Sequence, residues 1–144
     1  MPTENILKVN HLMINPIKQV ENKLVNDVSF LLPKAKITCI VGESGSGKSL
    51  TALSIVKLLS SQLEFSGEII FNRQKLHELN DKQLRSIRGS EIAMIFQDPM
   101  TSLNPVFTVG YQVAEAVLAH HKLTKNEARK ITEKAFTDVG IPAD

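Results

Sequence analysis

Residues 42–49 read Gly-Glu-Ser-Gly-Ser-Gly-Lys-Ser, a run of three glycines, three hydroxyls and one ammonium. The spacing fits G-x-x-x-x-G-K-[ST], the phosphate-binding loop or Walker A motif. Gly42, Gly45 and Gly47 permit dihedrals closed to other residues, so successive N–H groups can curl around an anion. Lys48 adds a mobile charge able to reach β- and γ-phosphates, and Ser49 offers a hydroxyl to Mg2+. Glu43, Ser44, Ser46 and Leu50 belong to the same cradle. Leu50 stands where many such loops carry a second hydroxyl, so its share is its backbone N–H.

A loop of this kind works only between two rigid elements. Ile37-Thr38-Cys39-Ile40-Val41 has the β-branched composition of a strand buried on both faces. Beyond the loop, Leu50, Leu53, Val56 and Leu59 recur near helical spacing, which puts Ser49 close to a helix start. The unpaired N–H groups of that first turn would face the same anion, at an end worth about half a positive charge. The bland alternative is a serine- and glycine-rich turn that matches by accident, on the order of once in a few hundred chains of this size. Strand, loop and helix together predict nucleotide phosphate binding.

Composition narrows the class. A chain of 144 residues with 42% hydrophobic content fits one domain or a piece of one. The net charge is +2 and the basic residues are scattered, so no nucleic-acid partner is expected. Apolar runs are too short for a membrane span, and Met1-Pro2-Thr3-Glu4-Asn5 lacks a signal-peptide pattern. Cys39, the single cysteine, is expected to be a small core residue in a reducing compartment. These features predict a soluble cytoplasmic chain.

Residues 6–14 and 24–32 read as strands forming an antiparallel pair, divided by Asn15-Pro16, with imperfect alternation in the first. No aromatic residue precedes Phe30. Residues 68–71 form a short strand, and Asn80-x-x-Gln83 opens a helix that Gly89 stops. Arg85 and Arg88 on it read as solvated surface. Residues 91–96 are a second buried strand, delivering Gln97-Asp98-Pro99 at its carboxyl end, where ligands sit in parallel sheets. Thr108 caps a helix with Val109, Val113, Ala116 and Val117 on one face. His120 and His121 end it and point different ways, which argues against a metal pair. Thr124-x-x-Glu127 is a capping box opening a last helix with Ala128, Ile131, Ala135 and Val139 inward, closed by Gly140 and Pro142.

Two stretches, GESGSGKSLTALSIVKLL (42–59) and IAMIFQDPMTSLNPVFTVGYQVAE (92–115), resemble the ATP-binding subunits of ABC transporters, in particular the group serving oligopeptide, dipeptide and nickel importers. VNDVSF (25–30) agrees in position, and QDPMTSLNP is far more specific than the Walker motif. The resemblance implies an α/β fold: a P-loop NTPase (RecA-like) core with an N-terminal antiparallel β element and the start of an α-helical subdomain, truncated. Residues 1–144 would be the N-terminal portion of one nucleotide-binding domain. Of these, 1–107 would hold the β element, Walker A and Q-loop, and 108–144 would open the helical subdomain.

The same resemblance implies ATP and Mg2+ as cofactors. Lys48 and Gln97 would be catalytic, Gln97 as the Q-loop glutamine near Mg2+ and the attacking water, with Ser49 and Gln97 on the metal. It implies a second nucleotide-binding subunit placed head-to-tail, transmembrane permease subunits, and indirectly a substrate-binding protein, at the cytoplasmic face of the cell membrane. The solute, peptide or nickel, stays open. An LSGGQ-type signature, a strand ending in Asp-Glu and the later switch histidine have no counterpart, nor has an adenine-stacking aromatic near Asn15 to Lys23. The first three departures fit truncation, so the 144 residues alone are expected to bind Mg-ATP weakly without turnover. Two further readings stay open: a small P-loop phosphotransferase using Asp98 for Mg2+, and a non-catalytic remnant.

Overall fold

A computed structural model describes residues 4–97 and 102–142, so the expectations placed on Asp98 and Pro99 lie outside the described residues. The chain divides into two compact units, Met1–Arg85 and Ser86–Asp144.

The first unit is built on a four-stranded antiparallel sheet. Its strands are β1 (Asn5–Pro16), β2 (Val25–Pro33), β3 (Leu63–Phe71) and β4 (Gln74–Lys75), in the order β2-β1-β3-β4. The antiparallel pair expected over 6–14 and 24–32 is therefore present. Leu7, Val9, Leu12, Ile14 and Ile69 are its fully buried centre. Buried apolar positions are odd before residue 10 and even after it, because β1 carries an extra residue. Val9 pairs with Phe30 and Leu12 with Val28, three steps along β1 against two along β2.

That extra residue is His11, at φ 50. A compensating bulge lies in β2 at Asp27, φ 53. The two bulged residues meet: His11 Nδ1 and Asp27 Oδ1 are 2.7 Å apart, and His11 N–H donates to Ser29 Oγ at 2.8 Å. On the other side of β1, Gly67 lies so close that a Cβ there would stand 2.7 Å from the Asn10 carbonyl oxygen. The imperfect alternation is thus a device that keeps one face of a long strand apolar.

Helix α1, Lys48–Ile55, follows the glycine loop. Its buried face is Thr51 and Ser54, with Val56 buried just beyond, while Leu50, Leu53 and Leu59 are half-buried. Thr51 Oγ1 donates back to the Gly47 carbonyl (3.0 Å) and Ser54 Oγ to the Thr51 carbonyl (2.7 Å), which satisfies these hydroxyls inside the fold. Lys57 Nζ donates to the carbonyls of His77 (3.3 Å) and Leu79 (3.1 Å), tying the end of α1 to the 3-10 turn Leu76–Glu78.

Two expected strands are absent among the described residues. Residues 37–41 join no ladder among the described residues, leaving Ile37 95% and Val41 89% exposed. Cys39 is accordingly exposed, where the sequence predicts a core position. Residues 93–96 likewise form no ladder, only the single bridge Arg88–Ile92 precedes them, and Ile95 is 98% exposed. A buried strand is completed by neighbours that accept its N–H and cover its side chains. Composition supplies the strand, and the described residues supply no neighbours for these two.

Helix α2, Asp81–Ile87, crosses the division between the units. It opens as expected, Gln83 N–H donating to Asn80 Oδ1 and Asn80 N–H to Gln83 Oε1, both at 3.0 Å. Gly89 stops it at φ +85. The second unit continues with α3, Val109–His120, and α4, Lys125–Asp138. Thr108 Oγ1 accepts from Tyr111 N–H, and the Thr124–Glu127 capping box is complete.

The inward face of α4 is shifted from the expected one. Ala128 and Thr132 are buried, whereas Ile131, Ala135 and Val139 are exposed. Arg129, Thr132, Glu133 and Phe136 line, with Thr108, Gly110, Tyr111 and Ala114, a cavity of about 340 Å3 between α3 and α4. In α3 no residue is fully buried, and Val109 and Ala116 are exposed.

Candidate functional site

The glycine loop follows residues 37–41 at Gly42 and enters α1 at Lys48. Gly45 and Gly47 hold φ +82 and +88, the left-handed region where a Cβ would be strained. A turn between them and Glu43 is fixed by Ser46 N–H donating to the Glu43 carbonyl at 3.2 Å. Gly47 is the N-cap of α1 and provides no side-chain cap, and the first turn holds no acidic residue. The N–H groups of Lys48, Ser49 and Leu50 are therefore left to whatever anion lies at the helix end.

Lys48 arches over the loop. Its Nζ donates to the carbonyls of Gly42 (2.7 Å) and Glu43 (2.5 Å) and to Ser46 Oγ (3.2 Å). These acceptors hold the ammonium at the loop's mouth without neutralising it, since none is a carboxylate. At Gly42 a Cβ would stand 2.7 Å from Ser46 Oγ, so a side chain there would turn that hydroxyl away from Lys48. Ser49 is exposed at the helix start. An anion nest with an adjacent hydroxyl and an ammonium whose acceptors are carbonyls and a hydroxyl suits a polyphosphate carrying a hard divalent cation. The loop borders a cavity of about 370 Å3 lined also by Val28, Phe30, Thr38, Cys39 and Thr51.

Gly42, Glu43, Ser44, Gly45, Ser46, Gly47, Lys48, Ser49 and Leu50 are all gathered in the first unit. Gln97 lies in the second, exposed in a bend after residues 93–96.

The sequence profile of the family described as "ABC transporter" matches residues 25–143. The chain belongs to the ABC transporter family. Among its relatives is the dipeptide transport ATP-binding protein DppD of Bacillus subtilis, 51% identical over 120 residues that cover 82% of this chain and 36% of that protein. The DppD of Lactococcus lactis is 41% identical over 145 residues, covering 99% of this chain and 42% of its own. The glutathione import ATP-binding protein GsiA of Escherichia coli is 42% identical over 147 residues, covering 96% and 23%. The chain thus spans about a third of the length of the curated relatives it matches.

In fold, it is similar to the dimeric post-hydrolysis state of the ATP-binding cassette MJ0796 bound to ADP and Pi, with a TM-score of 0.74 and 24% identity over 91% of this chain and 56% of that one. That likeness bears out the expected α/β cassette architecture. No helix among the described residues is long and apolar enough to cross a membrane.

Two residues that position the glycine loop were not singled out as site residues from sequence. Leu24 and Val25 form the wall behind Gly47, and only a tertiary contact reveals them. Gln112 organises the loop before α3. Its Oε1 accepts from Asn104 N–H (2.8 Å), and its Nε2 donates to the carbonyls of Asn104 and Phe107, both at 3.0 Å. A contact running backward over eight residues has no periodic signature in the sequence.

Proposed function

We propose that the chain is the phosphate-binding part of an ATP-binding subunit that powers ABC-type import of peptides or nickel. ATP binding and hydrolysis would take place at a head-to-tail interface with a second such subunit. The observation that carries this reading is the arch of Lys48 over residues 42–47, set at the uncapped start of α1. Phosphoryl transfer asks a protein mainly for positioning and for charge aimed at the phosphates. Backbone N–H groups of the loop and of the first turn, those of Lys48, Ser49 and Leu50 among them, would hold the β- and γ-phosphate oxygens, with Lys48 Nζ turning from its carbonyl acceptors towards them. Ser49 and Gln97 would hold Mg2+, which when bound neutralises developing charge on the phosphates. Gln97 would orient the attacking water.

The partners of this reading are the second nucleotide-binding subunit, transmembrane permease subunits and, through them, a substrate-binding protein, at the cytoplasmic membrane face. Residues 1–107 would form the β element, Walker A and Q-loop of one domain, and 108–144 the opening of its helical subdomain. Names among the relatives, which speak of dipeptide, oligopeptide and glutathione transport, favour a peptide as solute over nickel.

The test is magnesium-dependent ATP hydrolysis by the full-length protein. Lys48→Ala should abolish it, and Gln97→Ala should lower kcat by roughly tenfold or more with a smaller effect on KM. Hydrolysis indifferent to Lys48→Ala would overturn the assignment, and damage confined to Asp98→Ala would move it to the phosphotransferase reading.

A further inference from the structure

We propose that Gln112 is a positioning residue for Gln97: its carboxamide clasps the turn Asn104–Phe107 to α3 and so fixes the anchor of the chain that carries Gln97. This rests on reading Gln97 as the group that orients the attacking water. Gln97 and the turn belong to the same compact unit. The turn builds itself from its own residues. Asn104 Oδ1 accepts from Val106 N–H at 3.0 Å, and the Asn104 carbonyl accepts from Phe107 N–H at 3.2 Å. Asparagine first and proline second is the favoured composition of such a turn. Gln112 adds the attachment. Its Oε1 accepts from Asn104 N–H at 2.8 Å, and its Nε2 donates to the carbonyls of Asn104 and Phe107, both at 3.0 Å, and faces the Thr108 carbonyl at 3.5 Å. Only an amide carries an acceptor and two donors on one planar end.

Neither the helix nor the turn needs these bonds for satisfaction. α3 is already capped by Thr108 Oγ1, which accepts from Tyr111 N–H, and Gln112 N–H donates to the Thr108 carbonyl at 3.2 Å. Residues 102–107 are exposed, so water would serve their polar groups equally well. What the amide supplies is a fixed position for Asn104. Without it the turn pivots on Phe107, which the stack of its ring on Tyr111 (centroids 5.3 Å apart) still holds to α3. Chain reach turns this into a magnitude. Gln97 lies at most about 25 Å from an anchored Asn104 and about 36 Å from an anchored Phe107, at roughly 3.6 Å per residue. The volume open to its carboxamide therefore grows about threefold, and the share of time it spends in place falls accordingly. Binding of the phosphates, which belongs to residues 42–50, is untouched.

The test is magnesium-dependent ATP hydrolysis by the full-length protein carrying Gln112→Ala, Gln97→Ala or both. Gln112→Ala is expected to lower kcat roughly threefold and to leave KM for Mg-ATP within about twofold. Added to Gln97→Ala, it should slow hydrolysis no further, because a residue that acts through Gln97 has nothing left to position. An unchanged kcat, a matching rise in KM, or losses that multiply in the double variant would each overturn the inference. Gln112→Glu gives a second reading should the alanine variant fail to fold. Its carboxylate faces the two carbonyls that the amide N–H served, which favours the protonated form, and the protonated acid donates as the amide does. Its defect against the unaltered protein should therefore shrink as pH is lowered from about 8 to about 5.5, and a defect constant over that range would also count against the clasp. Hydrolysis that needs Lys48 but ignores Gln112 would remove only this inference, whereas hydrolysis indifferent to Lys48→Ala would remove the proposed function itself.

Discussion

Gly47 and Val25 leave no room for a side chain between them: a Cβ on the glycine would stand 2.6 Å from Val25 Cγ2. The glycine that shapes the anion cradle is thus also the point where α1 leans on the antiparallel sheet. Its conformation adds a second constraint, since φ is +88.

Gly47→Ala should therefore be far more damaging than Gly45→Ala, although both residues are left-handed. At Gly45 nothing lies within 4 Å of the missing Cβ, so the cost is conformational alone, about 1 kcal/mol. At Gly47 the same strain is joined by overpacking, for a sum of roughly 2–4 kcal/mol. Urea denaturation of the two variants measures the difference, and equal losses would show that the Val25 contact is not made.

Burial sets a second contrast. Ile69 is fully buried between β1 and its neighbours, while Ile37, equally β-branched, is 95% exposed. In this chain, Ile69→Ala should cost about 2–5 kcal/mol. Ile37→Ala should change stability by less than about 0.5 kcal/mol. Denaturant midpoints report both, and a large loss at Ile37 would mean that residues 37–41 are paired.

The capping box predicts a pH dependence. Glu127 Oε2 accepts from Thr124 N–H and Thr124 Oγ1, each at 2.7 Å, and these bonds hold its carboxyl below the ordinary value of 4.5. A pKa lowered by folding means a contribution complete above the ordinary carboxylate range and lost as pH falls through the lowered value. Glu68, held low by Asn10 and by Lys75, acts in the same direction. Helix content followed by circular dichroism should therefore melt at lower temperature at pH 3 than at pH 7. Glu127→Gln should shrink that difference, and an unchanged difference would show that the box is not formed in solution.

Much of this was legible in the sequence where the signal is local. The loop, both capping boxes and the Gly89 stop depend on residues a few positions apart, and the antiparallel pair on the pattern within each strand; each stands where its residues predict. What failed depends on distant neighbours. Ile37 to Val41 has strand composition and no ladder. Ile131 and Val139 have helical spacing, yet α4 turns Ala128 and Thr132 inward because its facing surface is set by α3. The broken alternation of β1 was visible, but its cause, His11 pairing with Asp27 across a double bulge, appears only when the two strands are side by side.

The central claim is that main-chain N–H groups and Lys48 grip a polyphosphate, and titration calorimetry of the full-length protein with ATP in the presence and absence of magnesium tests it most directly. Magnesium-dependent binding that Lys48→Ala weakens by roughly a hundredfold, with the variant's melting temperature unchanged, is the expected result. No heat with the unaltered protein, or the same affinity after Lys48→Ala, would contradict it.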